Sequence, residues 1–455
     1  MDGDRKVNVQ TFLNEHRFTR FQWLIFALCL AIVLMDGFDT AAIGYIAPSL
    51  IREWGVSKPD LGPVLSAALF GLAIGAFISG PLADGMGRKL VLAGAVAVFG
   101  AACLASSFSP SLEVLASLRF VTGLGLGAAI PNAVTLISEF CPDQRRSAVT
   151  NAVLCGFPLG AALGGFLAAW MIPAFGWRSV LVAGGIVPLF LLVPIVFLLP
   201  ESVRYLVAKG HNTKRARAVL ARISPDALEA ETLEIIEQRP SAAARGAALV
   251  VSAPYIVGSV MLWLAYFMGL AIFYALINWM PILFKDAGVD PKTATLISAL
   301  FPLGGFGAIF AGWLMDRFNA NRILAAGYAL TALSVYAIGQ TTGGGNVAMV
   351  IVTVFVAGLF MNTSQASMAA LAAAFYPTEG RATGVAWMLG IGRFGGIAGS
   401  LLVAELARRN FSFAAIFAVV AIPGLIAMAA LLIKQLTHPE TGVVRARSKQ
   451  ASLAH

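Results

Sequence analysis

Long apolar runs alternate with short polar breaks along nearly the whole chain. A helix crossing the hydrocarbon of a bilayer needs about 20 predominantly apolar residues. By that measure the pattern predicts twelve spans, near 21–51, 61–83, 90–108, 112–138, 147–171, 177–199, 255–284, 293–315, 322–340, 347–374, 382–406 and 411–434. Residues 200–254 form the one long polar connection, rich in Arg, Glu and Ala, and divide the spans six and six. Helical pieces are expected there around 212–223 and 226–238, within what otherwise reads as a solvated linker. The predicted organisation is a polar N-terminal tail (1–20), a six-helix bundle (21–199), the central loop (200–254), a second six-helix bundle (255–434) and a polar C-terminal tail (435–455). The fold class is all-α integral membrane protein.

The two halves repeat each other weakly. Gly80-Pro-Leu-Ala-Asp84-Gly-Met-Gly87-Arg88-Lys89 returns as Gly312-Trp-Leu-Met-Asp316-Arg317-Phe-Asn319-Ala-Asn321-Arg322. Phe140-Cys-Pro142-Asp-Gln-Arg-Arg146 returns as Phe375-Tyr-Pro377-Thr-Glu-Gly-Arg381, and Pro48 answers Pro281, all at nearly constant separation. A duplicated six-span unit with its site between the halves is the architecture of a secondary transporter.

Composition narrows the class further. The chain has 455 residues, 58% hydrophobic and only 12% charged, with a mean hydropathy of +0.82. Soluble domains carry about twice that charge fraction, so an ordinary enzyme with a water-soluble core is excluded. The net charge of +9 would suggest nucleic acid in a soluble protein, but its distribution speaks for a membrane. Lys and Arg crowd the tails, the central loop and alternate short loops. The other set of loops holds only Arg52, Lys58, Arg178, Lys285, Lys292, Arg408 and Arg409. The positive-inside rule then places both termini in the cytoplasm. The first twenty residues are too polar for a signal peptide, so the first span is expected to be retained. Cys29, Cys103, Cys141 and Cys155 form no CxxC pair, and His16, His211, His438 and His455 all lie outside the apolar runs. No metal site and no cofactor are expected.

Charged residues inside spans are costly, and by default mark ion or substrate pathways. Asp36 and Asp39 sit three residues apart in the first span, so both point to one helix face. Helix rise places Asp36 roughly 22 Å above the start of span 1, and Arg119 about 10 Å below the opposite surface in span 4. In a core of roughly 30 Å those depths nearly coincide. An ion pair of Arg119 with Asp36 or Asp39 is therefore allowed, either as a static bridge or as a proton switch whose affinity changes when the arginine lets go. Arg393 lies about 18 Å into span 11, near the midplane. A guanidinium fork there suits a carboxylate substrate. Asn132, Asn278, Asn362 and Gln365 could meet ring hydroxyls, and Tyr274 and Trp387 could offer aromatic faces. The glycine rows Gly156/Gly160/Gly164 and Gly395/Gly399 read as close helix contacts. Gly80, Asp84, Gly87, Arg88, Lys89, Glu139 and Arg146, with Asp316, Arg317 and Arg381 in the second half, cap short turns. There they could hold one face of a transporter closed.

The loop Gly80–Lys89 is similar to the inter-helix signature of the major facilitator superfamily, and its copy at Gly312–Arg322 sits where that fold repeats it. More narrowly, the chain resembles the aromatic acid:proton symporters, in particular the 4-hydroxybenzoate/protocatechuate permeases. Asp36-Gly-Phe-Asp39-Thr40, Leu118-Arg119-Phe-Val-Thr-Gly, Pro131-Asn132-Ala, Tyr376-Pro-Thr-Glu-Gly-Arg381 and Trp387-Met-Leu-Gly-Ile-Gly-Arg393 carry that resemblance. It departs at Asn319, which replaces a family glycine, and at Asn321, where the hydroxybenzoate permeases carry a histidine. The resemblance implies the major facilitator fold and proton-coupled symport of an aromatic carboxylate such as 4-hydroxybenzoate, protocatechuate or benzoate by a monomer in a bacterial inner membrane. It also implies that these same aspartates are needed for transport. The proton gradient is then the energy source, and lipid, proton and small carboxylate are the partners, with no nucleic acid. The alternative is a proton-linked sugar or polyol porter, whose motifs Pro200-Glu201-Ser202-Val203-Arg204-Tyr205 and Pro439-Glu-Thr-Gly442 resemble. A neutral sugar needs no buried cation, so Arg393 argues against it.

Overall fold

The computed structural model describes residues 6–208, 213–229, 232–234, 248–341 and 347–438. Among them eleven helices are long and apolar enough to cross a membrane. Spans 1 to 4 are Arg20–Trp54, Leu61–Met86, Arg88–Ser106 and Leu112–Glu139. Span 5 is Asp143–Phe175, two helices that meet at Cys155, and span 6 is Arg178–Leu198. Spans 7 and 9 to 12 are Ile256–Asp286, Ala320–Thr341, Val347–Phe375, Thr378–Arg408 and Phe413–Thr437.

Span 8 is the expected helix near 293–315, but it is broken. Pro291–Leu303 gives way to a 3-10 turn at Gly304–Gly307 before Ala308–Arg317 resumes. Three glycines in four residues are poor helix formers, and at the turn the Phe301 and Pro302 carbonyls accept from the Gly304 N–H in place of regular helix bonds. Asn362 of span 10 meets one of them. Its amide donates to the Phe301 carbonyl (2.9 Å) and to its own Gly358 carbonyl (2.8 Å).

The chain forms two compact units. The first comprises Met1–Ala42, Ala67–Gly164 and Ala174–Arg239; the second comprises Ile43–Ser66, Gly165–Pro173 and Pro240–His455. In the first unit, span 5 packs backbone to backbone on span 1. A Cβ at Gly37 would collide with the Phe157 carbonyl, and one at Gly160 with the Leu34 carbonyl. In the second unit the same device joins span 11 to span 7, with Gly395 against the Phe267 carbonyl and Gly399 against that of Ala271. Both glycine rows thus serve the close contacts expected of them.

Also within the second unit, the end of span 1 and the start of span 2 pack on spans 7 and 11. Gly44 meets the Ile277 carbonyl and Asn278, and Gly62 meets Ala404. Lys58 pairs with Asp286, and Lys285 donates to the Pro48 carbonyl at 3.3 Å.

The polar segments are more structured than a solvated linker. Strand β1 (Lys6–Asn8) runs parallel to β2 (Thr232–Glu234), pairing Lys6 with Thr232 and Asn8 with Glu234. Asn8 then caps the helix Val9–Glu15, its side chain accepting from the backbone of Gln10 and Thr11. The helix expected around 212–223 is present as Thr213–Ala221. The one expected around 226–238 is not: Pro225–Glu229 is a 3-10 turn and Thr232–Glu234 is strand, and residues 235–238 lie outside those described. Val203, Ala216, Leu220 and Ala227 are buried, so this part of the connection docks apolar side chains instead of remaining solvated.

Candidate functional site

Three spans bring an ionic cluster together inside the first unit. Span 4 carries Arg119, span 1 carries Asp39 and span 3 carries Cys103, all fully buried. Arg119 grips Asp39 with both terminal nitrogens, Nη1 to Oδ1 at 2.8 Å and Nη2 to Oδ2 at 2.7 Å. Nη2 also donates to the Asp39 backbone carbonyl at 3.2 Å. The sequence left Asp36 and Asp39 as equal candidates for this pair; the fork selects Asp39. Two charges in a low-dielectric interior need such paired geometry to be tolerated at all. The Arg119 Nε–H has no hydrogen-bond partner among the described residues. Cys103 completes the cluster, its thiol donating to Asp39 Oδ1 at 3.0 Å. Nothing in the sequence marked Cys103, since a cysteine in an apolar run behaves as a small hydrophobe.

Asp36 lies one turn earlier on span 1 and is also fully buried. The close approach of span 5 at Gly37 and Gly160 shuts this stretch of span 1 away.

The second group of candidates lies in the second unit. Arg393 of span 11 is half-buried, on a helix whose glycines press against aromatic rings of span 7. Gly392 abuts Tyr266 and Gly396 abuts Tyr274. Gln365 of span 10 accepts from the Tyr328 hydroxyl (2.8 Å) and donates to the Tyr266 carbonyl (3.4 Å). Gly269 leaves the room this amide fills. Trp387 stands next to Trp263, with ring centroids 5.8 Å apart. Arg393, Tyr266, Tyr274 and Gln365 thus share one neighbourhood on spans 7, 10 and 11. Tyr328 was not foreseen; a tyrosine in an apolar span is as often packing as contact.

The remaining amides are engaged in helix contacts. Asn132 bonds back to the Ala128 carbonyl of its own helix at 2.8 Å. Asn278 donates to Ser400 Oγ (3.3 Å) and lies 3.5 Å from the Leu65 carbonyl. Asn362 supports the break in span 8, as above.

The turn residues of the first unit are tied together. Arg88 bridges Asp84 (3.3 Å) and Glu139 (3.6 Å), while Ser202 donates to Glu139. Gly87 holds a left-handed φ of 99° that favours glycine. Beside it, Glu201 accepts from the backbone of Lys89 at 3.2 Å, and Tyr205 donates to the Gly85 carbonyl at 3.0 Å. Arg146 donates to Gln10 (2.7 Å), which also accepts from Arg204 (2.9 Å). Gly80 has open space around it. Glu201, Tyr205 and Gln10 were not foreseen, although the first two belong to the stretch Pro200–Tyr205 that stood out in the sequence.

In the second unit, Arg317 covers the Trp313 ring at 4.2 Å and Arg381 is exposed. The side chain of Asp316 lies outside the described residues. The loop copy is held by amides: Asn319 and Asn321 both donate to Gln435, and buried Lys434 donates to Asn321 at 2.8 Å.

Against this geometry the comparisons are direct. The family model of the Major Facilitator Superfamily matches residues 28–307 and 262–455. The chain belongs to that superfamily. Within it the chain belongs with the aromatic acid permeases. It is 46% identical to the 4-hydroxybenzoate transporter PcaK of Pseudomonas aeruginosa, over 96% of this chain and 98% of that one. It is 42% identical to the gallate transporter of Pseudomonas putida, over 94% and 95%. Among solved structures, an inward-open xylose transporter from E. coli shares the fold at a TM-score of 0.72, with 18% identity and coverage of 93% and 97%. The chain is thus a multi-pass membrane transporter and not an enzyme.

Proposed function

We propose that this facilitator takes up a small aromatic carboxylate, of the 4-hydroxybenzoate type, together with a proton, by alternating access across a bacterial inner membrane with both termini in the cytoplasm. The observation that carries this reading is the near end-to-end similarity to 4-hydroxybenzoate and gallate transporters in a chain that keeps an ionic cluster and a midspan arginine. The proton site is Asp39, with Asp36 one turn away. A proton on Asp39 neutralises the partner of Arg119 and leaves a buried guanidinium seeking an acceptor. Its idle Nε–H supplies one further donor. The ion pair thereby links protonation to a rearrangement between spans 1 and 4.

The substrate carboxylate is received by Arg393. The aromatic walls are Tyr266, Tyr274 and Trp387, and Gln365 is the amide nearest to a ring hydroxyl. The ties of Arg88 to Asp84 and Glu139, of Glu201 to the Lys89 backbone and of Arg146 to Gln10 keep the cytoplasmic ends of the first bundle together and loosen when that face opens. No cofactor is needed, since the proton gradient is the energy source. One proton per monoanion moves no net charge, so the pH difference drives that stoichiometry. A second proton would add about 2.3 kcal/mol per 100 mV of membrane potential.

The test is uptake of labelled benzoate, 4-hydroxybenzoate, protocatechuate, gentisate and glucose into proteoliposomes, with and without an inward proton gradient, beside Asp39→Asn. Gradient-driven accumulation of a hydroxybenzoate that the variant loses is the expected result. Accumulation of glucose, or of no carboxylate, would overturn the reading.

A further inference from the structure

Cys103 is used by nothing in the transport cycle above, yet its position is specific. Its sulfur lies 3.0 Å from Asp39 Oδ1, the same oxygen that takes Arg119 Nη1 at 2.8 Å. A second acceptor, the Leu181 carbonyl of span 6, lies 3.5 Å from the same sulfur. The sulfur has little freedom to leave, because Gly184 of span 6 approaches so closely that a Cβ there would stand 3.0 Å from it.

An ionised carboxylate only accepts hydrogen bonds, whereas a thiol has one weak donor. The proton of the Cys103–Asp39 contact therefore belongs to sulfur while Asp39 is charged. When Asp39 takes a proton, its claim on that donor weakens, and the thiol can turn to the Leu181 carbonyl without being orphaned. The two acceptors give one donor two resting places, one for each protonation state of Asp39.

We infer that Cys103 is a positioning residue of the proton site: it favours the ionised form of Asp39 and holds Oδ1 in register for Arg119, so that it sets the pH range over which the site loads. This rests on the reading of Asp39 as the proton carrier. The titratable and charged groups around Asp39 are few. Asp36 comes from its own helix, Arg119 from span 4 and Cys103 from span 3. Among the described residues, spans 5 and 6 approach this stretch at Gly156, Gly160, Gly164, Gly184 and the Leu181 carbonyl. A change at position 103 therefore acts on Asp39 beside Asp36 and Arg119, the other charged groups at the site among the described residues.

The experiment compares wild type, Cys103→Ala, Cys103→Ser and Asp39→Asn in proteoliposomes. It reads the pH dependence of 4-hydroxybenzoate uptake, and substrate counterflow as the check that each variant is folded. Removing the donor should move the pH of half-maximal uptake upward by about 0.5 to 1 unit, the scale of one ordinary hydrogen bond, since a thiol is a weak donor even to a charged group. Serine, which restores a donor, should bring it back to the wild-type value. A Cys103→Ala profile that superimposes on wild type overturns the inference, and so does a serine variant shifted as far as alanine. If Asp39→Asn still accumulates substrate with the gradient, the proton-site reading itself has failed, whatever Cys103 does. Should Cys103→Ala lose counterflow, the infrared S–H stretching band of the wild-type protein decides. That band, identified by its loss in Cys103→Ser, should shift when pH is stepped across the uptake midpoint; a band that does not move overturns the inference.

Discussion

Asp39–Arg119 and Arg393 are both ionic features inside spans, and the fold treats them differently. The pair in the first unit is closed: both side chains are fully buried, and the two terminal nitrogens of Arg119 are committed to Asp39. Arg393 in the second unit is half-buried, on a helix whose neighbouring glycines pack against the rings of Tyr266 and Tyr274. A closed pair suits a switch, because it changes state only when one partner is neutralised. A cation among flat rings suits a receptor, because a planar anion can bring both the carboxylate and the stacking surface. The difference shows that rarity of charge identifies both as special, whereas only the neighbours separate a proton site from a substrate site.

The largest effect should come from breaking the closed pair. Asp39→Ala leaves Arg119 buried without its carboxylate, a change that costs about 3–5 kcal/mol in other buried pairs. Thermal unfolding in detergent should show a clear drop in Tm, and gradient-driven uptake should vanish. Removing both partners in Asp39→Ala/Arg119→Ala should recover much of the stability and none of the coupling. A double variant no more stable than the single one would mean that the pair is not what holds these spans.

The glycine contacts come next, and here the two regions should behave alike. Gly160→Ala and Gly395→Ala each force a methyl into a carbonyl of the facing helix, and overpacking of that kind costs about 1–3 kcal/mol. Gly390→Ala, on the same span as Gly395 but with nothing within 4 Å, should leave the melting temperature unchanged. A Gly390 variant as unstable as Gly395→Ala would show that helix packing is not the cause.

Arg393→Lys sharpens the comparison at the second region. It keeps the charge but loses the planar fork, so apparent affinity for a carboxylate should fall by about tenfold, roughly 1.4 kcal/mol. Its pH profile and stability should stay near wild type. A shifted pH midpoint instead would place Arg393 in the proton site and dissolve the distinction between the two regions.

Much of this was legible in the chain. Charges are so rare in the apolar runs that Asp36, Asp39, Arg119 and Arg393 stood out, and helix rise alone brought Arg119 to the depth of the aspartates. The choice between the two aspartates was not legible, since both share a helix face and only the rotation of span 4 decides. Cys103 was hidden because apolar-run cysteines look like ordinary packing. The pairing of Lys6–Asn8 with Thr232–Glu234 was hidden too: three residues are too few to show an alternating pattern, and their partners lie far apart in sequence. The break in span 8 was written in Gly304, Gly305 and Gly307, but a hydropathy window averages over such a turn.

The smallest effect concerns the amide between the rings, and it asks whether Gln365 belongs to packing or to the receptor. Tyr328→Phe removes the hydroxyl that donates to Gln365 Oε1. Its loss should cost about 1 kcal/mol of stability, the net worth of one such bond. If the amide serves only helix packing, uptake of benzoate and of 4-hydroxybenzoate should change in the same proportion. If it reads the ring hydroxyl, the freed carbonyl oxygen should alter the ratio between the two by about two- to fivefold, leaving benzoate itself nearly unaffected. We expect the second outcome, because Gln365 also donates to the carbonyl of Tyr266, whose ring packs on Gly392 beside Arg393. An unchanged ratio would return Gln365 to the packing of spans 7, 9 and 10 and leave the aromatic walls as the determinant of substrate choice.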